Sequence, residues 1–160
     1  MMTHRPLAEL ETRLGYKFAD QSLLKQSLTH ASFSGPKASY ERLEFLGDGV
    51  LECITKYYLY RRFPKENEGF MTEKKIALVK NEHIGKLALE MGLNKFYIIS
   101  RHAEEKNIRN NLKKLGCLFE AFIGAIFLDY NRISIKDEYG WFENIFNCGP
   151  GLQFAQLFVE

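Results

Sequence analysis

Apolar residues in this chain recur at three- and four-residue spacing and almost never alternate, a pattern that restricts it to packed helices. Leu43, Leu46, Val50, Leu51 and Ile54 form one such series, and Ile76, Val79, Ile84, Leu87 and Met91 form a second that stops at Gly92. Strand-like sequence is confined to residues 96–99, a run short enough to join two helices. Breaks fall at Ser34-Gly-Pro36, Phe63-Pro64, Asn67-Glu-Gly69 and Cys148-Gly-Pro-Gly151. The expected fold is all-α.

With 160 residues and 46% apolar content the chain can bury one sizeable core, so residues 1–160 are expected to form a single domain. Its 22 basic and 20 acidic residues leave a formal charge of +2, too balanced to announce a polyanionic partner, which must be argued from local clusters instead. Cys53, Cys117 and Cys148 include no C-x-x-C pair, so neither a disulfide framework nor a structural zinc site is suggested and a reducing setting is expected. Residues 1–16 lack an apolar signal core, and the longest apolar run, 118–128, is too short to span a bilayer and carries Glu120. The expectation is a soluble, cytoplasmic protein with no membrane partner and no small-molecule cofactor.

Two acidic features stand out against this apolar background. Glu41, Glu44 and Asp48 fall at i, i+3 and i+7 and project from one side of a helix, where like charges repel unless something positive sits among them. They are interleaved with Leu43, Phe45, Leu46 and Val50, which places the acidic face beside the apolar one; Arg42 alone is at hand as a counter-ion. Glu120 lies inside Leu118-Phe-Glu-Ala-Phe-Ile-Gly-Ala-Ile-Phe-Leu128 with no basic residue on its helix face, so it must pair with a cation, bind a metal or stay protonated. Carboxylates on packed helices suit Mg²⁺ or Mn²⁺ and a phosphodiesterase site. A di-iron bundle would need Glu-x-x-His pairs, which the sequence lacks.

Glu41-Arg-Leu-Glu-Phe-Leu-Gly-Asp-Gly-Val-Leu-Glu52 resembles the signature motif of the ribonuclease III family. Leu28-Thr-His-Ala-Ser32, Arg62-Phe-Pro64 with Glu68-Gly69, Leu78-Val79 with Asn81, and Phe119-Glu-Ala-Phe-Ile-Gly124 agree in order and spacing, so the resemblance covers residues 14–129. It implies a helical endonuclease domain that dimerises across the signature helix and hydrolyses double-stranded RNA with Mg²⁺, leaving 5′-phosphate and 3′-hydroxyl ends. By the same resemblance Glu44, Asp48 and Glu120 are metal ligands, Glu41 and Glu68 are further catalytic acids nearer the subunit junction, and Phe45 is the aromatic that plugs a pocket in the partner subunit. Members often carry a double-stranded RNA-binding domain after the nuclease domain, for which residues 1–160 leave no room.

The chain departs from the family pattern at two positions. Tyr40 stands where Asn is usual, and Cys117 stands three residues before Glu120 where the family has a metal-binding Asp. A neutral thiol is a small hydrophobe and its thiolate is a soft ligand, so one metal contact is weakened or passed to water, with Mn²⁺ tolerated better than Mg²⁺. Cys117 also gives weight to a second reading, a ribonuclease III-like binding module that has lost cleavage; the retained Glu41, Glu44, Asp48, Glu68 and Glu120 favour the enzyme. For the RNA backbone, Lys106, Arg109 and Lys113 follow an i, i+3, i+7 spacing with Lys114 beside them, and Lys74, Lys75 and Lys80 form a second basic group. His30 and His102 are further candidate contacts, although a lone histidine is more often structural.

Overall fold

In the computed structural model residues 5–131 are described, and they form eight α-helices linked by short turns. The helices are α1 (Leu7–Leu14), α2 (Gln21–Ser27), α3 (Ala31–Ser34), α4 (Glu41–Arg62), α5 (Glu68–Val79), α6 (Asn81–Met91), α7 (Arg101–Glu105) and α8 (Leu112–Asn131). The all-α expectation holds, and the 96–99 run is a connector. Ile98 makes a single parallel bridge to Thr29, with His30 N donating to Ile98 O at 2.8 Å and Ile98 N to Leu28 O at 2.7 Å. Cys148 and the 148–151 break lie outside the described residues, as does the end of the expected 1–160 domain.

α8 is the axis of the fold. It is apolar on every side, and from Leu115 to Phe127 only Cys117 is not buried, so it must be wrapped by other helices. α4 and α6 supply most of that cover and α2 adds to it. No helix among the described residues is long and apolar enough to cross a membrane.

The α4–α8 crossing is closer than side chains allow. A Cβ on Gly47 would collide with the carbonyl oxygen of Glu120, and one on Gly124 would collide with that of Leu43, so the two helices touch backbone to backbone. The acids on either side of Gly47 are thereby pressed against the turn of α8 that carries Glu120. A similar contact joins α6 to α8, where Gly85 meets the backbone of Leu112 and Gly116 that of Asn81.

The second periodic series proves to be two helices. Lys80 is extended (φ −63°, ψ 142°) and separates α5 from α6, so Ile76 is exposed while Ile84 is fully buried. The chain also turns between α7 and α8, with Asn107 left-handed at φ 55° and a 3₁₀ turn at Ile108–Asn110. Lys106, Arg109 and Lys113 therefore do not share one helix face, which removes the geometric premise of that stripe.

Candidate metal centre

Three of the buried polar side chains in the described chain are carboxylates, and two of them are fully provided for. Glu11 accepts from Phe18 N at 2.6 Å and Gln21 Nε2 at 3.0 Å. Asp129 accepts from the Tyr16 hydroxyl, Ala19 N and Asp20 N at 2.7, 3.0 and 2.7 Å. Glu120, only 8% exposed, has no hydrogen-bond or ion-pair partner among the described residues. An ionised carboxylate left in that state is costly. Burial first, then the negative charges of Asp48 and Glu44, push its carboxyl up to about 7.

What Glu120 does face is more ligand atoms. A carboxylate oxygen of Glu44, the Cys117 sulfur and a carboxylate oxygen of Glu120 all lie within 4.8 Å of one another, Glu44 and Cys117 being half-buried. Asp48, one turn along α4 from Glu44, is exposed and outside this trio, yet close enough for its charge to act on Glu120. Burial, a hydrogen bond to Glu44 and the charges of Glu44 and Glu120 push the Cys117 thiol up to about 12, so at neutral pH it is protonated. Two convergent carboxylates, one without a partner among the described residues, with a third acid beside them, fit a divalent cation; the thiol is the one group that does not suit Mg²⁺.

An aromatic wall backs the centre. His30 stacks on Tyr40 at 5.8 Å, and Tyr97 meets both rings edge-on. Burial and the charge of Glu44 push the Tyr40 phenol up to about 12, and burial pushes that of Tyr97 up as well. The buried Tyr97 hydroxyl sits beside the Tyr40 phenol, and the two groups act on one another. Burial and the nearby Lys114 ammonium hold His30 below its usual value, with Glu41 acting against them. His30 Nδ1 lies 2.8 Å from Ser32 Oγ and accepts from Ser32 N at 3.1 Å, so this histidine is anchored within its own turn.

Comparison with known proteins identifies the family and the fold. A family model described as Ribonuclease-III-like matches residues 20–136. The chain belongs to the ribonuclease III family. It is 42% identical over 133 residues to Ribonuclease 3 of a Nitratiruptor species, covering 83% of this chain and 58% of that protein, and 40% identical over 126 residues to Ribonuclease 3 of Acinetobacter baylyi, covering 79% and 54%. The chain thus spans little more than half the length of these relatives. Among solved structures it resembles two of the nuclease domain of ribonuclease III from Campylobacter jejuni. One has a TM-score of 0.75 at 37% identity over 78% of this chain and 86% of that one; the other has 0.74 at 32% identity over 100% and 99%.

Within this ribonuclease III fold the site residues named from the sequence divide. Glu44, Cys117 and Glu120 are brought together with Asp48 at their edge, while Glu41, at the start of α4, is exposed on the side of His30. Glu68, at the start of α5, is exposed and accepts from Thr72 Oγ1 at 2.7 Å, outside the group. Phe45 is 85% exposed, which rules out a core aromatic in the single chain. Lys114, one turn before Cys117 on α8, stands at the rim, close enough to act on both Cys117 and His30. Lys106 and Lys113 are exposed.

Arg109 is turned inward and corrects the basic stripe. Its guanidinium grips Glu104 through two bonds of 2.8 and 2.6 Å and donates to Asn94 O and Tyr97 O at 2.6 and 2.8 Å. In the second basic group, Lys75 is paired with Glu52 at 3.0 Å and Lys74 lies over the Phe70 ring. A separate, largely apolar cavity of about 580 Å³ between α4, α6 and α8, lined by Leu51, Ile54, Leu87, Met91, Phe122 and Ile126 with Glu90 among its polar residues, includes none of Glu41, Glu44, Asp48, Glu68 and Glu120. Sequence reasoning passes over Gly47 and Gly124; the signal available is glycine inside two long helices, a costly choice unless backbones meet there.

Proposed function

We propose that the chain is a divalent-metal-dependent endoribonuclease that works as a homodimer and hydrolyses phosphodiester bonds of double-stranded RNA, leaving 5′-phosphate and 3′-hydroxyl ends. The observation that carries this reading is Glu120, buried and without a partner among the described residues while the other buried carboxylates among them are satisfied, facing Glu44 across a space that ligand atoms line. Glu120, Glu44 and Asp48 would hold Mg²⁺ or Mn²⁺. When bound, the ion supplies charge neutralisation at the phosphate and activation of the attacking water.

The remaining groups act on RNA and on assembly. Lys114 at the rim, with Lys113 beside it and Lys106 beyond, offers cations to the phosphate backbone, and duplex RNA is read mainly through phosphates and 2′-hydroxyls. Glu41 and Glu68 lie outside the trio and assist positioning or cleavage from the junction side. Phe45 at 85%, Tyr60 at 71% and Ile76 at 55% exposure give α4 and α5 apolar surface that a second subunit would cover, in keeping with dimerisation across α4. Cys117 keeps the second reading in play, a duplex-binding module without cleavage.

Incubating the protein with a long RNA duplex and Mg²⁺ or Mn²⁺, beside Glu120→Gln, separates the two. The expected result is metal-dependent cutting that the Gln variant loses while duplex binding persists. A Gln variant that cuts at the wild-type rate makes Glu120 a structural acid, and a wild-type protein that binds duplex but cuts in neither metal establishes the binding module.

A further inference from the structure

We infer that Cys117 turns this centre into a mixed thiolate–carboxylate site that takes thiophilic divalent ions such as Zn²⁺ or Cd²⁺ in preference to Mg²⁺, a reading that rests on the metal centre proposed above. Its sulfur is in the trio itself, within 4.8 Å of the Glu44 and Glu120 oxygens, so it occupies the place of a ligand and not of a bystander. Around a tetrahedral zinc-sized ion, with bonds of roughly 2.0–2.3 Å, ligand atoms stand roughly 3.5 Å apart, a spacing that side-chain rotation can reach from a trio within 4.8 Å. Glu120 provides the independent sign that the space suits a cation, since it is more than nine-tenths buried, without a partner among the described residues and turned into the same space.

Selectivity follows from what each ion can do with a thiol. A hard ion has little affinity for sulfur and leaves the Cys117 proton in place, so Mg²⁺ meets two carboxylates and a neutral group. A thiophilic ion forms the metal–sulfur bond and drives the thiol proton off to solvent; one proton leaves for each bond made and no electron is transferred. The ion then has one sulfur and two oxygen ligands, with Asp48 near enough to add its charge. Such an ion fills the position the hard ion needs and opposes Mg²⁺-supported cleavage.

The test is a Cd²⁺ titration of the full chain, stripped of metal and reduced with a phosphine, in a Cys53→Ser/Cys148→Ser background so that Cys117 is the one thiol left. The sulfur-to-cadmium charge-transfer absorption should saturate at one equivalent per chain. Cys117→Ser should abolish it, and Glu120→Gln should weaken Cd²⁺ binding at least tenfold while the thiol remains. Mn²⁺ binding, followed by the loss of its free-ion magnetic resonance signal, is measured on each folded variant. Mn²⁺ binding with no sulfur band, or with Cd²⁺ affinity unchanged by both Cys117→Ser and Cys117→Ala, overturns this inference and leaves the metal centre standing. If neither ion binds and Glu120→Gln changes nothing, the metal centre itself is wrong.

Discussion

The missing Cβ of Gly47 is the space that the Glu120 carbonyl oxygen occupies, so the α4 residue between Glu44 and Asp48 rests directly on the α8 residue they face. Position 47 therefore sets the separation of the acids as well as the helix crossing. Gly47→Ala must push α4 off α8 and is expected to cost about 3 kcal/mol or more, or to prevent folding. Gly49→Ala, where an added Cβ meets nothing within 4 Å, should leave the melting temperature unchanged or raise it. Equal melting temperatures for the two alanine variants would show that the helices are not in backbone contact.

How much of this is legible in the sequence depends on the range of the interaction. Glu41, Glu44 and Asp48 can be placed on one helix because their spacing is local, and Glu120 stands out as a charge in an apolar run. The convergence of Glu44, Cys117 and Glu120 depends on the α4–α8 crossing, which periodicity does not encode. The 106–113 spacing misplaces Arg109 because it assumes a continuous helix, whereas the chain turns at Asn107. Phe45 sits among apolar neighbours in the sequence, so its exposure is visible only in the packed chain.

Glu120 makes the metal-free protein sensitive to pH. Its carboxyl is raised to about 7 from an ordinary 4.5, so the folded state holds the proton more tightly than the unfolded state does. Stability from this group is complete below about pH 4.5 and is lost as pH rises through 7. Relative to Glu120→Gln, the wild-type chain in chelator should lose on the order of 3 kcal/mol between about pH 4 and pH 8, roughly 10 °C in Tm. Thermal melts of both proteins across that range decide it, and parallel curves would mean that Glu120 finds a partner in solution.

Arg109 and Lys114 should fail in different ways. Arg109→Ala removes the Glu104 ion pair and two bonds to main-chain carbonyls, with an expected stability cost of about 2–3 kcal/mol seen in denaturant melts. Lys114→Ala should leave the melt unchanged, weaken duplex RNA binding severalfold and lower the slope of log affinity against log salt by about one. An Arg109 variant that melts normally but loses RNA binding would return that residue to the RNA surface.

Phe45 offers the corresponding test of assembly. Because the ring is 85% exposed in the single chain, Phe45→Ala should not disturb the fold of a subunit, yet loss of a buried aromatic anchor at an interface typically costs about 2 kcal/mol or more. Sedimentation should show a dimer dissociation constant raised roughly 30-fold. A wild-type chain that sediments as a monomer at micromolar concentration would remove the dimer from the proposal.

On the proposed function, Cys117 is the residue expected to govern which ion supports cleavage. At this position a hard carboxylate would complete an oxygen-lined set, whereas the protonated thiol leaves Mg²⁺ one ligand short; Mn²⁺ accepts softer ligands and suffers less. Cys117→Asp is therefore expected to raise Mg²⁺-supported cleavage of an RNA duplex about tenfold and to change the Mn²⁺ rate little, so that the Mn²⁺-to-Mg²⁺ ratio falls. The added carboxylate joins Glu44 and Glu120 in a half-buried place, so the metal-free variant should also melt at a lower temperature, and added Mn²⁺ or Mg²⁺ should recover the difference. Rates measured against metal concentration on one duplex, with a melt at each concentration, separate weaker metal binding from loss of fold. If wild type is already fully active in Mg²⁺ and the Asp variant gains nothing, a water completes the shell and the thiol does not limit the reaction.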